Sequence, residues 1–263
     1  MPAPVSSGPL AGDQIQQFIR GGFIRLNEAF PRALADQCRN LLWAQTGLDP
    51  RDATTWTRAV IRLPGSDAAP FVRAGNTPRL LAAFDQLVGR GRWYPRPNLG
   101  TFPIRFPSSG DPGDAGWHID GSYRIGDELW VNLSSRERAL LMLFLFSDVG
   151  PDDAPTRIRV GSHLDVPRVL EPAGETGLPY QQVVPRLCRL DERPLALATG
   201  RAGDVYLCHP FLVHAATWPH RGTRPRFIAQ PPLTPVAPLR LERADGAYAP
   251  VEIAVRIGLG LAR

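Results

Sequence analysis

Lysine is absent: all 30 basic residues are Arg, set against 25 acidic ones, for a net charge of +5. An arginine-only cation set is what a GC-rich genome produces and carries no function by itself. The positive balance suits acidic small molecules or CoA-like groups. The arginines form no dense basic run and no patch interleaved with aromatics, which speaks against nucleic acid. Cysteine is scarce. Cys38, Cys188 and Cys208 make no C-x-x-C pair and an odd set, so no disulfide framework is expected and all three are read as reduced. No uninterrupted apolar run reaches the ~18 residues a membrane-spanning helix needs. The opening residues Met1 to Ser7 lack the basic and apolar regions of a signal peptide. A cytoplasmic protein with no membrane partner is expected; the oligomeric state has no signature.

Internal repeats and low-complexity tracts are also missing, and a chain of 263 residues with 43% hydrophobic content is long enough to bury a sizeable core as one domain, residues 1–263. Three helices are expected between about residues 13 and 90. The first is capped by Asp13 and carries Ile15, Phe18 and Ile19; the second starts at Pro31 and aligns Leu34, Cys38, Leu41, Leu42 and Gln45. Thr77-Pro78 is an N-cap followed by a first-turn proline for the third, with Leu80, Leu81, Phe84, Leu87 and Val88 on one face. Beyond them, Leu99 to Phe106, Gly116 to Asp120, Ala139 to Val149, Thr156 to Val160, Leu195 to Ala198, Val205 to Cys208, Phe211 to Ala215 and Arg226 to Pro231 read as strands separated by Gly, Pro and Asp clusters. Short strands in two sheets predict a mainly β fold, a double-stranded β-helix or jelly roll over about 99–232 with helices packed outside it. Pro231 to Pro238 reads as the exit into a tail, 233–263.

The most specific feature is His118-Ile119-Asp120. On an extended strand alternate residues share a face, so an imidazole and a carboxylate two apart aim at one point. His163-Leu164-Asp165 repeats the pattern but follows Gly161-Ser162 and precedes Pro167, the composition of a turn, whereas Trp117 and Ile119 give the first tripeptide an apolar partner face. A second His completes the set. His209 and His220 adjoin prolines; His214 follows Phe211-Leu212-Val213 and precedes two alanines, which leave room beside it. Two His and one carboxylate, His118, Asp120 and His214, form the facial triad of non-haem Fe(II) oxygenases, with coordination positions left for reactants.

Arg224-Pro225-Arg226 then precedes another apolar run. A guanidinium fork matches a carboxylate bidentately, which suits the far end of a 2-oxo dicarboxylic acid. Arg105 alternates with Ile104 and Phe106, so its side chain enters a cavity to hold an anionic substrate or that acid, or lies on a surface strand. Trp117 and Trp130 are candidates for an aromatic substrate wall near the metal, or for ordinary core packing.

From about Leu99 to Pro232 the sequence resembles the phytanoyl-CoA dioxygenase family of Fe(II)/2-oxoglutarate oxygenases. The resemblance rests on the H-x-D pair, the strand and acidic turn from Phe144 to Asp153, the Gly161-Ser162-His163 turn, and the block from Gly203-Asp204 through His209-Pro210 and His214 to Arg224-Pro225-Arg226. It implies His118, Asp120 and His214 as iron ligands and an Arg after the distal His as partner of the 2-oxoglutarate C5 carboxylate. The family position of that Arg is Pro225 here, which implies a one-residue insertion in the Trp218 to Thr223 turn and favours Arg226, with Arg224 as the fallback. A Ser two residues beyond the distal His, common in the family, is Ala216 here. That contact is missing or supplied elsewhere.

The resemblance also implies Fe(II), 2-oxoglutarate and O2 as cofactor and cosubstrates, with hydroxylation of a small-molecule C–H bond and release of succinate and CO2. Halogenases of this fold carry a small residue in place of the carboxylate, and Asp120 argues against that outcome. A non-oxidative cupin-like enzyme and a 2-oxoglutarate-binding protein without turnover stay open. Segments Ala53 to Gly75, Asp111 to Ala115 and Pro167 to Arg193, expected to cover the cavity, carry no substrate code.

Overall fold

Six successive buried residues, Leu140–Leu145, demand cover on both faces and organise everything around them. In the computed structural model, which describes residues 8–261, the elements in chain order are α1 (Gly12–Gly21), β1 (Phe23–Leu26), α2 (Arg32–Thr46), β2 (Val60–Leu63), α3 (Ala69–Gly75), α4 (Pro78–Val88), β3 (Phe102–Arg105), β4 (Tyr123–Ile125), β5 (Glu128–Val131), β6 (Leu140–Leu145), β7 (Arg157–Arg159), α5 (Val166–Leu170), β8 (Leu178–Pro179), β9 (Leu195–Leu197), β10 (Val205–Cys208), β11 (His214–Ala215), β12 (Ile228–Ala229), β13 (Pro232–Leu233) and α6 (Pro250–Gly258). The named strands pair antiparallel throughout. The larger sheet runs β1-β10-β6-β12, with β13 also on β6. A backbone bridge between Arg105 and Arg226 carries it on to β3 and β2. A smaller sheet runs β11-β7-β9, and a third joins β4, β5 and β8.

Alternation along β6 decides what each face meets. Leu141, Leu143 and Leu145 cluster with Tyr206, Cys208 and Ile228 of their own sheet and with Ile158 and Ala198 of the smaller sheet. On the opposite face Phe144 and Phe146 meet Phe30 at ring distances of 5.9 and 5.6 Å, and Phe71 meets Phe146 at 5.8 Å, which brings the helical layer down onto the sheet. Each such side chain, fully buried, contributes about 1.5–3 kcal/mol. The result is a layer of helices, the larger sheet, an inter-sheet space, and the smaller sheet. No helix of the described residues is long and apolar enough to cross a membrane, and Cys38, Cys188 and Cys208 are unpaired.

Local chemistry explains most helix boundaries. The Thr77 hydroxyl accepts from Leu80 N at 3.3 Å and Pro78 occupies the first turn, as the sequence predicts. Asp13, by contrast, is not a cap: α1 begins at Gly12, where the Gln14 side chain accepts from Ala11 N at 2.9 Å, and Asp13 lies in the first turn, favourable to the helix dipole. In α2 the buried stripe is Ala35, Cys38 and Leu42, while Leu41 and Gln45 face solvent, because one line of contact suffices against the sheet. The segment 116–120 is not a continuous strand; only His118 is bridged.

The expected tail turns back. In α6, Val251, Ala254 and Val255 are buried, and Glu252 pairs with Arg92 while accepting from Arg240 N at 2.7 Å and Ala249 N at 2.9 Å. Beneath it lie two imidazoles. His209 Nε2 bonds Val251 O at 3.1 Å, and His163 Nε2 bonds Ile19 O at 3.0 Å, with the rings 4.8 Å apart. Carbonyl partners require an N–H donor at Nε2, and His209 Nδ1 accepts from Phe211 N at 3.1 Å, so the His209 ring is neutral.

Burial pushes His163 down to about 4 and His209 well below its ordinary value, with repulsion between the two adding to the second. The unfolded chain takes up these protons below about pH 6.5, whereas the folded chain refuses one at His163 until about pH 4. Stability therefore falls as pH drops through this window, by up to about 3 kcal/mol for His163 alone. The melting temperature of His163→Gln should decline less between pH 7 and pH 4.5 than that of the parent chain; equal declines would contradict the account.

Candidate metal centre

His118 and His214 are set opposite each other by the backbone. His118 N donates to His214 O at 3.0 Å and His214 N returns a bond to His118 O at 2.9 Å, although no regular strand runs through residue 118. Their rings stand 4.4 Å apart. Asp120, two residues past His118, brings its Oδ1 to 3.8 Å from His214 Nε2. One ligand atom from each of the three side chains lies within 4.8 Å of the others. Of the two H-x-D tripeptides, only this one joins a second His in such a group among the described residues; His163 is fully buried under α1 and Asp165 pairs with Arg193.

The imidazoles are pre-oriented. His118 Nδ1 bonds Gly116 O at 2.9 Å and His214 Nδ1 bonds Leu212 O at 3.0 Å. Since a carbonyl only accepts, both Nδ1 atoms carry a proton, which in the neutral ring leaves the Nε2 lone pair for a ligand. Holding the remote nitrogen in this way fixes tautomer and ring direction in metal sites.

Asp120 is held by a residue that the sequence analysis does not single out. Arg138 Nη1 lies 3.0 Å from Asp120 Oδ2, and Arg138 Nε and Nη2 donate to Gly121 O at 3.3 and 3.2 Å. Burial pushes the Asp120 carboxyl up, but Arg138, with His214 and His118, outweighs it and the carboxyl titrates below its ordinary value. At His214 burial dominates, and its pKa falls despite Asp120. Two imidazole nitrogens and a carboxylate oxygen are a donor set suited to a divalent transition metal. Arg138 sits just before β6 with no neighbouring motif, so only the fold reveals it.

A second cluster adjoins the same inter-sheet space. Ile228 packs among the inter-sheet residues, so Arg226, two positions earlier, looks the same way. Arg105 N donates to Arg226 O at 3.0 Å and Arg226 N to Arg105 O at 2.8 Å, which puts the two side chains beside each other on one face. Both are buried, at 3% and 2% exposure. Arg105 Nη2 meets Asp114 Oδ2 at 2.5 Å, and Arg226 Nη1 donates to Ala154 O. Burial and then Arg105 push Arg226 down to about 9, against Asp114 and Asp153. His220, 6% exposed, interacts electrostatically with Asp153, Arg226 and Arg105. Arg224 is exposed on an outer cleft with Trp43 and Phe227.

The aromatic candidates separate. Trp117 carries the guanidiniums of Arg157 and Arg159 over its ring, each 4.7 Å from the centroid, and next to His118 in an extended segment it points away from the triad. It packs against these guanidiniums, the second of the two roles open to it in the sequence. Trp130 pairs with Tyr123 and Pro179 across β4, β5 and β8, and its Nε1 is buried without a partner.

No family model matches the sequence. No curated protein matches it either. Solved structures do match in fold. HygX from Streptomyces hygroscopicus, crystallised with nickel, 2-oxoglutarate and hygromycin B, superposes with a TM-score of 0.56 at 21% identity, over 91% of this chain and 95% of its own. EctD from S. alaskensis, with 2-oxoglutarate and 5-hydroxyectoine, gives 0.56 at 21% identity over 90% and 81%. SnoK, a non-heme alpha ketoglutarate dependent carbocyclase from nogalamycin biosynthesis, gives 0.58 at 15% identity over 93% and 92%. Across nine tenths of its length the chain shares the fold of these proteins.

Proposed function

We propose that this chain is a Fe(II)- and 2-oxoglutarate-dependent oxygenase, of the phytanoyl-CoA dioxygenase type and built on one jelly-roll domain, that hydroxylates a C–H bond of a small molecule. The observation that carries the reading is the convergence of His118, Asp120 and His214, both Nε2 atoms free and the carboxylate ionised, in the inter-sheet space that Arg226 also faces. The shared fold supports it, since HygX was crystallised with iron and with nickel and 2-oxoglutarate.

In this reading His118 and His214 present Nε2 to the metal and Asp120 presents Oδ1, while Arg138 engages Oδ2 and keeps the carboxylate charged. Bound there, iron supplies the O2 chemistry that couples decarboxylation of 2-oxoglutarate to oxidation of the substrate. Arg226 takes the distal carboxylate of 2-oxoglutarate and fixes the orientation of its 2-oxo acid end. With Asp120 present, no position is reserved for chloride. Substrate, 2-oxoglutarate and O2 give hydroxylated substrate, succinate and CO2.

Turnover with a panel of small acidic metabolites under ¹⁸O2 and excess chloride should release one succinate per product, with ¹⁸O in the product. A chlorinated product would remove Asp120 from the ligand set. Binding of 2-oxoglutarate with no succinate across the panel would favour a binding protein.

A further inference from the structure

Three buried side chains, Arg226, Arg105 and His220, hold more unsatisfied hydrogen-bonding capacity than one guanidinium explains. Arg226 Nε, Arg105 Nε and both ring nitrogens of His220 are buried without a well-formed hydrogen bond, the Arg224 backbone being the one hydrogen-bonding group that bears on the His220 ring. An unpaired donor in such a place carries a desolvation cost, so native structures leave few of them unless a ligand completes them. The four atoms belong to one cluster. Arg105 and Arg226 are direct cross-strand partners, and His220 is bridged through its backbone to Ser108, three residues past Arg105. Repulsion from both arginines bears on the His220 ring, which places the three groups within electrostatic reach of one another.

The cluster's charge points to an anion. The carboxylates near it are Asp114 and Asp153. Asp114 is engaged through Oδ2 by Arg62 and by Arg105 Nη2, its Oδ1 being buried without a partner, while Asp153 Oδ2 accepts from Gly150 N at 2.7 Å. The Arg226 guanidinium has only the neutral carbonyl of Ala154 as a bonded partner. Neither acid satisfies Arg226 Nε, Arg105 Nε or His220, and whichever tautomer His220 adopts, one of its nitrogens is a donor. These donors suit a ligand carboxylate, a planar anion with about four acceptor sites. Ala216 has no hydroxyl to offer where the family resemblance expects one, so the carboxylate has places left for other donors.

We propose that Arg105 and His220 share the distal carboxylate of 2-oxoglutarate with Arg226, forming a three-residue cradle that selects 2-oxo dicarboxylic acids. This rests on the reading of Arg226 given above. Asp114, paired with Arg105 Nη2, ties the 107–115 segment to the cradle.

The test is anaerobic calorimetry on the Fe(II)-loaded chain with two ligands, 2-oxoglutarate and 2-oxovalerate, which share the 2-oxo acid end and differ in the distal carboxylate. His220→Gln and Arg105→Gln should each weaken 2-oxoglutarate roughly tenfold, the size of one hydrogen bond to a charged group, and leave 2-oxovalerate unchanged. Arg105→Lys should recover part of the loss. Losses shared equally by both ligands, or no loss in either variant, would overturn the cradle. A variant that binds neither ligand and melts early is replaced by His220→Asn or Arg105→Lys, to which the same criteria apply. The underlying reading fails separately: it falls if Arg226→Ala shows no preference for losing 2-oxoglutarate, whereas selective loss in Arg226→Ala alone refutes only the roles of Arg105 and His220.

Discussion

Replacing His118, Asp120 or His214 by Ala should abolish tight Fe(II) binding and, with it, turnover. Three side-chain donors lie within 4.8 Å of one another; two of them cannot fix the geometry of a metal that keeps positions for its reactants. Loss of even an outer-sphere partner typically costs 10–100-fold in metal affinity, so loss of a ligand should exceed about 100-fold. His163→Ala is the control, because it breaks the same kind of tripeptide at a site that packs α1 and His209. Calorimetry showing iron affinity lost in His163→Ala and kept in His118→Ala would invert the assignment.

The second large effect separates the two arginines of Arg224-Pro225-Arg226. Removing one partner of a desolvated charge pair costs about 2–5 kcal/mol, so Arg226→Ala should raise the KM for 2-oxoglutarate by roughly 30-fold to several thousand-fold. Arg224 is exposed, and Arg224→Ala should change KM by less than about threefold, as expected for a screened surface charge. Equal or reversed effects would relocate the clamp to Arg224.

Much of this site was legible in the sequence because its parts obey local rules. The H-x-D spacing needs only an extended segment to aim two ligands together, and His118 and Asp120 lie within ligand distance even though the segment is no regular strand. Turn composition separated His163 from His118. The long apolar run Ala139 to Val149 announced a strand, and the fold buries it on both faces. What stayed hidden depends on contacts between distant segments. Arg138 acts through Asp120, 18 residues away, and nothing around it in sequence marks a partner. His220 sits between Pro219 and Arg221, the composition of a turn, yet its backbone is bridged to Ser108 and it is buried. Trp117 shows the converse. Its neighbour His118 suggested a place near the metal, but alternation sends adjacent residues to opposite sides, where Arg157 and Arg159 cover the ring. The α6 helix was missed because the prolines between 231 and 238 read as an exit, whereas the chain returns and buries Val251 and Val255.

The central claim is that metal and cosubstrate occupy one composite site formed by the triad and Arg226. It is tested most directly by titrating 2-oxoglutarate anaerobically into the chain with and without Fe(II). One 2-oxoglutarate should bind per chain when iron is present, with at least tenfold weaker binding when iron is omitted or Asp120 is Ala, because the 2-oxo acid end then loses its partner. Binding of equal strength with and without iron, or none in either case, would contradict the account.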